Sequence, residues 1–390
     1  MMVSILKQKT YRDATNQVLF VGAIALTVLT FTMVGRENLE AQGITSGFGF
    51  LERSTGWSIS FSLIEYSTSD PYWKALWVGF LNTAFLGAVS LCLATVLGLI
   101  VGIMRVSGNA MAELVGASFV EIFRNVPLLL QVFFWYALLT ALPPPRSGID
   151  VFGVVFLSGR GTYLPGLNVT GEMVFLAVVA LLAALAGVLW LKSSRRFART
   201  SAKDKKRFTR SLLVGWVFLT IVLFWIGRIP DTPLLNLPYL KGLNFRDGIR
   251  VPPELLACIV GISIYGAAYI GEIIRAGFNA IGKGQTEAGL ALGLSTWQIF
   301  TRIRLPLAIR AVLPTLTNQY VWLFKSTTIG IAVGFADFFM IVSISINQSG
   351  QTLELIAILM GGFLLVNYSL AWVLNRVNDA IKLKGNQLRM

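Results

Sequence analysis

The sequence has no histidine in 390 residues and only two cysteines, Cys92 and Cys258, each inside an apolar run. The lack of histidine excludes His-based acid–base catalysis, the serine triad and most zinc sites. Two isolated cysteines form neither a disulfide framework nor a metal knot. We therefore expect no catalytic residue, no metal site and no cofactor in this chain.

Charged residues are also scarce. They make up 13% of the chain, whereas 55% is hydrophobic and the mean hydropathy is +0.69. A soluble domain carries about 25% charged residues. The net charge of +14 could indicate a nucleic-acid-binding protein, but the basic residues lie in short loops beside apolar runs, as in the cytoplasmic loops of membrane proteins. We expect contact with membrane lipid and none with nucleic acid.

Long apolar runs predict a membrane bundle, because about 20 apolar residues cross the hydrocarbon core as a helix. Eight such runs are present: residues 18–35, 75–104, 125–145, 174–191, 211–227, 255–271, 311–336 and 355–375. Residues 338–353 are expected to form a re-entrant or interfacial piece. The predicted fold class is therefore all-α, a polytopic membrane bundle of about eight transmembrane helices.

The distribution of lysine and arginine predicts the orientation. Residues 192–210 hold nine Lys/Arg and one acid, Asp204, so this loop is expected in the cytoplasm. The span count then places both termini, residues 105–124 and residues 275–310 on the same side. Residues 36–74, with five acids against three bases, fall outside. They are expected to be an irregular external loop, as are residues 143–172 and 228–253.

The most informative segment is residues 284–309. Seven residues carry its pattern: Glu287, Ala288, Gly289, Gly293, Ile303, Leu305 and Pro306. Their spacing resembles the EAA coupling signature of bacterial ABC importer permeases, with one departure, since the family usually has alanine where this chain has Gly289. Small residues permit close approach to a partner, and a carboxylate is favoured near a helix N-terminus. Gly293 is expected to end the helix, and Pro306 to re-aim the chain into the next span.

Three further patterns resemble the polar amino-acid branch of these permeases, which has a MetI-like transmembrane domain. They are Trp77, Gly79 and Thr83; Phe123, Arg124, Pro127 and Leu128; and Ala268, Tyr269, Glu272 and Arg275. The resemblance covers roughly residues 73–142 and 254–385 and implies a five-helix core. The additional leading helix and inserted hairpin resemble the general L-amino-acid permeases. The expected divisions are residues 1–72, 73–145, 146–253 and 254–390.

The resemblance implies a function and a set of partners. The chain would be the permease subunit of an ATP-driven importer of L-amino acids in the bacterial inner membrane. Its partners would be two ATPase subunits that bind ATP and magnesium, a second homologous permease chain in a heterodimer, and a periplasmic amino-acid-binding protein. Residues 277–284 resemble a phosphate-binding loop, but Gly284 replaces the required Ser or Thr, so this chain cannot hydrolyse ATP. The alternative is a secondary amino-acid transporter without an ATPase.

Lys325 is the candidate substrate contact. Fourteen uncharged residues precede it and eleven follow, so it is expected deep in the seventh span, where a charge usually marks a substrate path. Together with Ser326, Thr327 and Thr328 it would bind the α-carboxylate of an amino acid. The resembling family has an acid after this lysine, and its replacement by Ser326 favours neutral or acidic substrates. Two other interpretations stay open: a partner-subunit carboxylate pairs with Lys325, or the lysine snorkels.

Three charged residues are candidates for a gate or anchor at the cytoplasmic side. Glu272 and Arg275 are three residues apart, so they can pair on one helix face. A structural ion pair is the favoured interpretation over substrate contact. Arg124, before Pro127, is expected to anchor a loop.

Overall fold

A computed structural model describes residues 9–41, 47–193, 201–230 and 232–381 of the chain. The predicted cytoplasmic positions of residues 1–8, of residues 194–200 in the basic loop, and of the tail 382–390 lie outside the described residues.

The described residues are mainly helical. The α-helices are α1 Lys9–Ala41, α2 Tyr72–Met104, α3 Ala110–Asn125, α4 Leu128–Thr140, α5 Gly171–Ser193, α6 Ala202–Ile226, α7 Pro253–Asn279, α8 Lys283–Ala291, α9 Thr296–Ile299, α10 Leu305–Lys325, α11 Phe338–Ser349 and α12 Thr352–Ile381. A π-helical turn, Phe300–Arg304, joins α9 to α10. Short 3-10 helices cover Phe48–Glu52, Pro145–Ser147 and Ser326–Val333.

The predicted membrane bundle is confirmed. Five described helices, α1, α2, α6, α7 and α12, contain segments long and apolar enough to cross a bilayer. Two bent pairs, α3 with α4 and the helix containing α10 with α11, raise this number to as many as seven. Helix α5 is a further apolar helix, and it packs against α6.

The predicted third span, residues 125–145, is not one helix. Val126 has an extended backbone, as expected for a residue that precedes proline, and the chain bends by 101° between α3 and α4. Helix α4 has 13 residues and is therefore only about 20 Å long. The segment predicted as a cytoplasmic connection is largely α3.

The predicted seventh span is also interrupted. Helix α10 ends at Lys325, and the chain continues as the 3-10 helix Ser326–Val333. Gly334 then adopts a left-handed conformation with φ of 79°, which glycine reaches without steric cost. The stretch expected to be re-entrant begins with α11, which is bent by 50° from the preceding helix.

Two segments predicted as irregular external loops contain short antiparallel strands. The strands are β1 Ile149–Val151, β2 Val155–Ser158, β3 Gly161–Leu164, β4 Gly166–Leu167, β5 Leu235–Asn236, β6 Tyr239–Lys241, β7 Asn244–Arg246 and β8 Ile249–Val251. One sheet has the order β1-β2-β3-β8, and β4-β5 and β6-β7 form separate pairs. The ring of Phe245 packs on Phe156 and Tyr163, with centroids 4.6 and 4.7 Å away. We call residues 145–167 and 235–251 the β-cap.

Residues 47–71, expected to be part of an irregular loop, contain the 3-10 helix Phe48–Glu52 and pack onto the bundle. Phe50 is 2% exposed and meets Tyr72 edge to face, with ring centroids 5.6 Å apart. The side-chain amide of Asn82 in α2 donates a 2.8 Å hydrogen bond to the carbonyl of Phe61. This contact holds the external segment against the end of α2.

The core of the bundle is the contact between α2 and α7, which depends on small residues. A Cβ atom on Gly98 would lie 2.7 Å from Ile270, and one on Gly102 would lie 2.7 Å from Ile274. Both distances are shorter than a van der Waals contact. Helices packed in a membrane commonly use small residues for such close approach.

We expect Gly98→Ala to lower the thermal unfolding midpoint of the purified protein in detergent. The added methyl group overpacks the interface with Ile270, at a cost of about 1–3 kcal/mol. Gly215→Ala in α6 is the matched control, because no atom lies within 4 Å of its added Cβ. That variant should gain the helix propensity of alanine, about 1 kcal/mol. Equal midpoints for the two variants would contradict the packing argument.

Candidate functional site

The segment predicted to couple to an ATPase forms a short helix, α8, as expected. It ends where Gly293 adopts a left-handed φ of 73°. The N–H of Gly293 donates to the carbonyl of Leu290, and the N–H of Leu294 donates to that of Gly289. This pair of bonds is a Schellman motif, so the predicted role of Gly293 as helix terminator is confirmed.

Gly289 is the buried residue of α8. A Cβ at this position would lie 2.8 Å from the side chain of Ile299 and 3.3 Å from that of Ile303. Glycine therefore allows α8 to lie directly on the chain that returns from it. The departure from the family's usual alanine has a physical reason in this close contact.

The outer side of this segment is open to a partner. Glu287 and Ala288 are exposed, as are Leu290, Leu292 and Trp297, the last two by 78% and 71%. Helix α9 is fixed by a capping box in which the Ser295 side chain and that of Gln298 bond each other's backbone N–H. The segment thus presents exposed apolar side chains on capped helical turns. We call residues 283–304 the coupling segment.

Pro306 does not redirect the chain, contrary to the sequence prediction. It lies in the first turn of α10, and the helix runs through it from the π-helical turn. Proline lacks an N–H and its ring clashes with the carbonyl four residues earlier. In the turn just before it, the N–H of Leu305 donates to the carbonyl of Phe300, five residues back. The helix therefore continues through Pro306 by way of this wider turn.

A charge cluster lies near the end of α7 that leads into α8. Arg275 donates to Glu272 from Nη2 to Oε1 over 2.5 Å and from Nε to Oε2 over 3.1 Å. This is the predicted pair. Arg105, which follows α2, also donates to Oε2 of Glu272 and is 14% exposed. The sequence did not predict this partner, because 167 residues separate the two. Arg124 in α3 adds positive charge near Glu272.

Lys325 is the last residue of α10, and its side chain is exposed. It forms no ion pair with any residue in the described ranges. A cation at a helix C-terminus is stabilised by the helix dipole. The neighbouring hydroxyls bond to the helix backbone: Ser326 to the carbonyl of Trp322, Thr327 to that of Phe324 and Thr328 to that of Lys325. Substrate contact by these four residues stays a prediction.

Asp337, which was not predicted as a site residue, is fully buried. One carboxylate oxygen, Oδ1, accepts a 2.8 Å hydrogen bond from the N–H of Met340 and so caps α11. The other oxygen has no hydrogen-bond partner among the described residues. The adjacent N–H of Phe338 donates to the hydroxyl of Thr83 in α2. The signal was in the sequence, because an Asp directly before an apolar run marks a helix N-terminus.

The coupling segment and the β-cap lie at opposite ends of α7. Strand β8 ends at Val251, two residues before α7 begins, and α8 begins four residues after α7 ends. Helix α7 has 27 residues and is therefore about 40 Å long. This length separates the two features by more than the hydrocarbon thickness of a bilayer, about 30 Å.

Comparison with known proteins gives concordant matches. Residues 94–382 match the family described as binding-protein-dependent transport system inner membrane component. The chain is 36% identical to the putative amino-acid ABC transporter permease protein YhdX of Escherichia coli K12, over 88% of this chain and 87% of that protein. It is 34% identical to the general L-amino acid transport system permease protein AapQ of Rhizobium johnstonii, over 82% and 80%.

A further relative is the glutamate/glutamine/aspartate/asparagine transport system permease protein BztB of Rhodobacter capsulatus, which is 32% identical over 89% of this chain and 88% of that protein. Among solved structures, the crystal structure of an amino acid ABC transporter with histidines is 18% identical. It matches with a TM-score of 0.46 over 79% of this chain and 94% of that one.

We expect Arg105 and Glu272 to be energetically coupled. A double-mutant cycle of Arg105→Ala and Glu272→Ala, measured by unfolding of the purified protein, should give a coupling energy of about 1 kcal/mol, as is typical of a partly buried, charge-assisted pair.

The control for this cycle is the Lys74–Asp70 pair, whose atoms are 2.8 Å apart at the start of α2. The Lys74 ammonium and the N–H of Ser67 lower the pKa of the Asp70 carboxyl, but the cation of this pair is more exposed, by 27% for Lys74 against 14% for Arg105. Its coupling energy should therefore be smaller. A coupling energy for Arg105 and Glu272 no larger than that of the control would show that their contact does not hold α2 to α7.

Proposed function

Since the chain belongs to the family of binding-protein-dependent transport system inner membrane components, we propose that it carries L-amino acids across the inner membrane as one of two permease chains of an importer. The chain is a multi-pass membrane protein and a transport component of the ABC importer type, which works with ATPase and binding-protein partners. Its relatives do not support the alternative, a secondary transporter without an ATPase.

One observation carries the proposal. Of the residues with the coupling-signature spacing, Glu287, Ala288 and Gly293 are exposed beyond the end of α7, on a short helix whose buried contact is Gly289. A separate ATPase can push on such a surface without entering the bilayer. The same helix carries the Glu272 cluster, so a displacement of the coupling segment acts directly on the packed pair α2 and α7.

The proposal extends to the finer assembly. Two ATPase subunits bind ATP and magnesium and hydrolyse the nucleotide, and this chain supplies no catalytic residue. A second, different permease chain completes the membrane domain, and a periplasmic binding protein delivers the amino acid. Both termini and the coupling segment are cytoplasmic, which places the β-cap on the periplasmic side.

Transport proceeds by alternating access around Lys325. Its ammonium binds the α-carboxylate of the amino acid, and no carboxylate in the described ranges pairs with it. The position after Lys325, where the resembling family has an acid, is Ser326 in this chain, so a cationic substrate side chain meets no acid at that position. We expect a broad range of neutral and acidic amino acids. The relatives whose names specify acidic amino acids and their amides are compatible with this range.

We expect Glu287→Lys to abolish ATP-dependent uptake into proteoliposomes, because it reverses the charge at the exposed coupling surface. The two permease chains should still co-purify, since Glu287 is exposed. The matched control is Glu121→Lys, which makes the same charge change at an exposed position of α3 and should transport normally. Normal uptake by Glu287→Lys would falsify the coupling role.

We expect Lys325→Ala to reduce uptake and to weaken the effect of substrate on the ATPase rate. The loss of a charge-assisted contact costs about 1.5–3 kcal/mol, or roughly 10-fold to 150-fold in kcat/KM. Lys241→Ala in the exposed β-cap is the control. Unchanged transport kinetics in Lys325→Ala would remove this residue from the substrate site and favour the partner-carboxylate or snorkelling interpretation.

A further inference from the structure

Aromatic rings connect the end of α7 to the coupling segment. Phe278 and Phe300 lie parallel, with ring centroids 5.5 Å apart and an interplanar angle of 1°. Trp297 stacks on Phe300 in turn, at 5.9 Å and 22°. Phe278 is 1% exposed and Trp297 is 71% exposed. The stack therefore runs from the interior of the bundle to the exposed surface of the coupling segment.

Arg304 adds a cation to the same stack. Its guanidinium carbon lies 5.7 Å from the ring centroid of Phe278, a cation–π distance. Phe300 and Arg304 are the first and last residues of the π-helical turn, so both ends of this turn contact one buried ring. π-Helical turns within α-helices are rare and occur frequently at functional sites.

The α7 end of the stack is itself fixed. Gly277, beside Phe278, lies so close to Val312 of α10 that a Cβ atom would overlap it. One turn earlier, Ile274 packs against Gly102 of α2, and Glu272 pairs with Arg105. A displacement of Phe278 therefore displaces the packed helices and not a loose side chain.

From these contacts we infer that the aromatic stack, together with Arg304, is the contact that transmits movement of the coupling segment to α7. Trp297, Phe300, Phe278 and Arg304 are positioning residues of the transport cycle. None belongs to the seven positions of the coupling signature. The inference rests on the proposed function, because it requires an ATPase that moves the coupling segment.

We expect that loss of the stack uncouples ATP hydrolysis from transport. Without the rings, the coupling segment can move with its ATPase while α7 stays in place. Phe300→Leu removes the ring and keeps an apolar side chain of similar size. Phe300→Tyr keeps the ring and is the conservative variant. Phe123→Leu is the matched control, because it breaks a different aromatic pair, Phe119 with Phe123 in α3, whose centroids are 4.8 Å apart.

The test uses the whole importer in proteoliposomes, with both permease chains, the ATPase and the binding protein. Amino acid taken up and ATP hydrolysed are measured in the same sample. Phe300→Leu should co-purify with the ATPase, hydrolyse ATP and transport about tenfold less amino acid per ATP, within the usual range of coupling energies. Phe300→Tyr should restore the ratio, and Phe123→Leu should leave it unchanged. A wild-type ratio in Phe300→Leu would overturn the inference.

A second variant decides the outcome if Phe300→Leu does not assemble. Arg304→Gln removes the cation over Phe278 but leaves the rings. A lower ratio of transport to hydrolysis in Arg304→Gln supports the inference, and an unchanged ratio overturns it. The failure of the proposed function would look different, because the wild-type assembly would then show no ATP-dependent uptake at all.

Discussion

Glycines let α2 and α7 approach until the backbone of one helix lies against the other. A Cβ on Gly98 would lie 3.1 Å from the carbonyl of Ala267, and one on Gly102 would lie 3.1 Å from that of Gly271. Within a bilayer the hydrophobic effect does not drive helices together, so packing of this kind must do so. The Arg105–Glu272 pair closes one end of the same interface. The two helices therefore form one tightly packed pair.

The candidate functional features are arranged around the pair of helices α2 and α7. The coupling segment continues from one end of α7 and the β-cap joins the other. The break after Lys325 is fixed to α2, because the amide of Asn82 donates to the carbonyl of Ala336 and Thr83 accepts from the N–H of Phe338. In the proposed transport cycle, movement of the coupling segment would reach the candidate substrate region through these packed helices.

The long apolar runs predicted the helices because twenty uncharged residues have few alternatives to a membrane helix. They did not predict the bend at Val126, since hydropathy is insensitive to the residue before a proline. The change from an α-helix to a 3-10 helix after Lys325 was not predicted, because the residues that follow are as free of charge as those before it. Strands β1 to β8 have two to four residues each, too few to show an alternating pattern. Arg105 could not be assigned to Glu272, because only the tertiary fold brings them together.

The proposed transport cycle requires the coupling segment to dock on a separate ATPase. Site-specific photo-cross-linking from Ala288, which is exposed on α8, tests this directly in membranes that contain the whole importer. The same probe at Leu243, 62% exposed in the β-cap, reports the opposite end of α7. We expect a cross-link from position 288 to the ATPase and none from position 243. An ATPase cross-link only from position 243, or a position 288 that reacts with lipid alone, would contradict it.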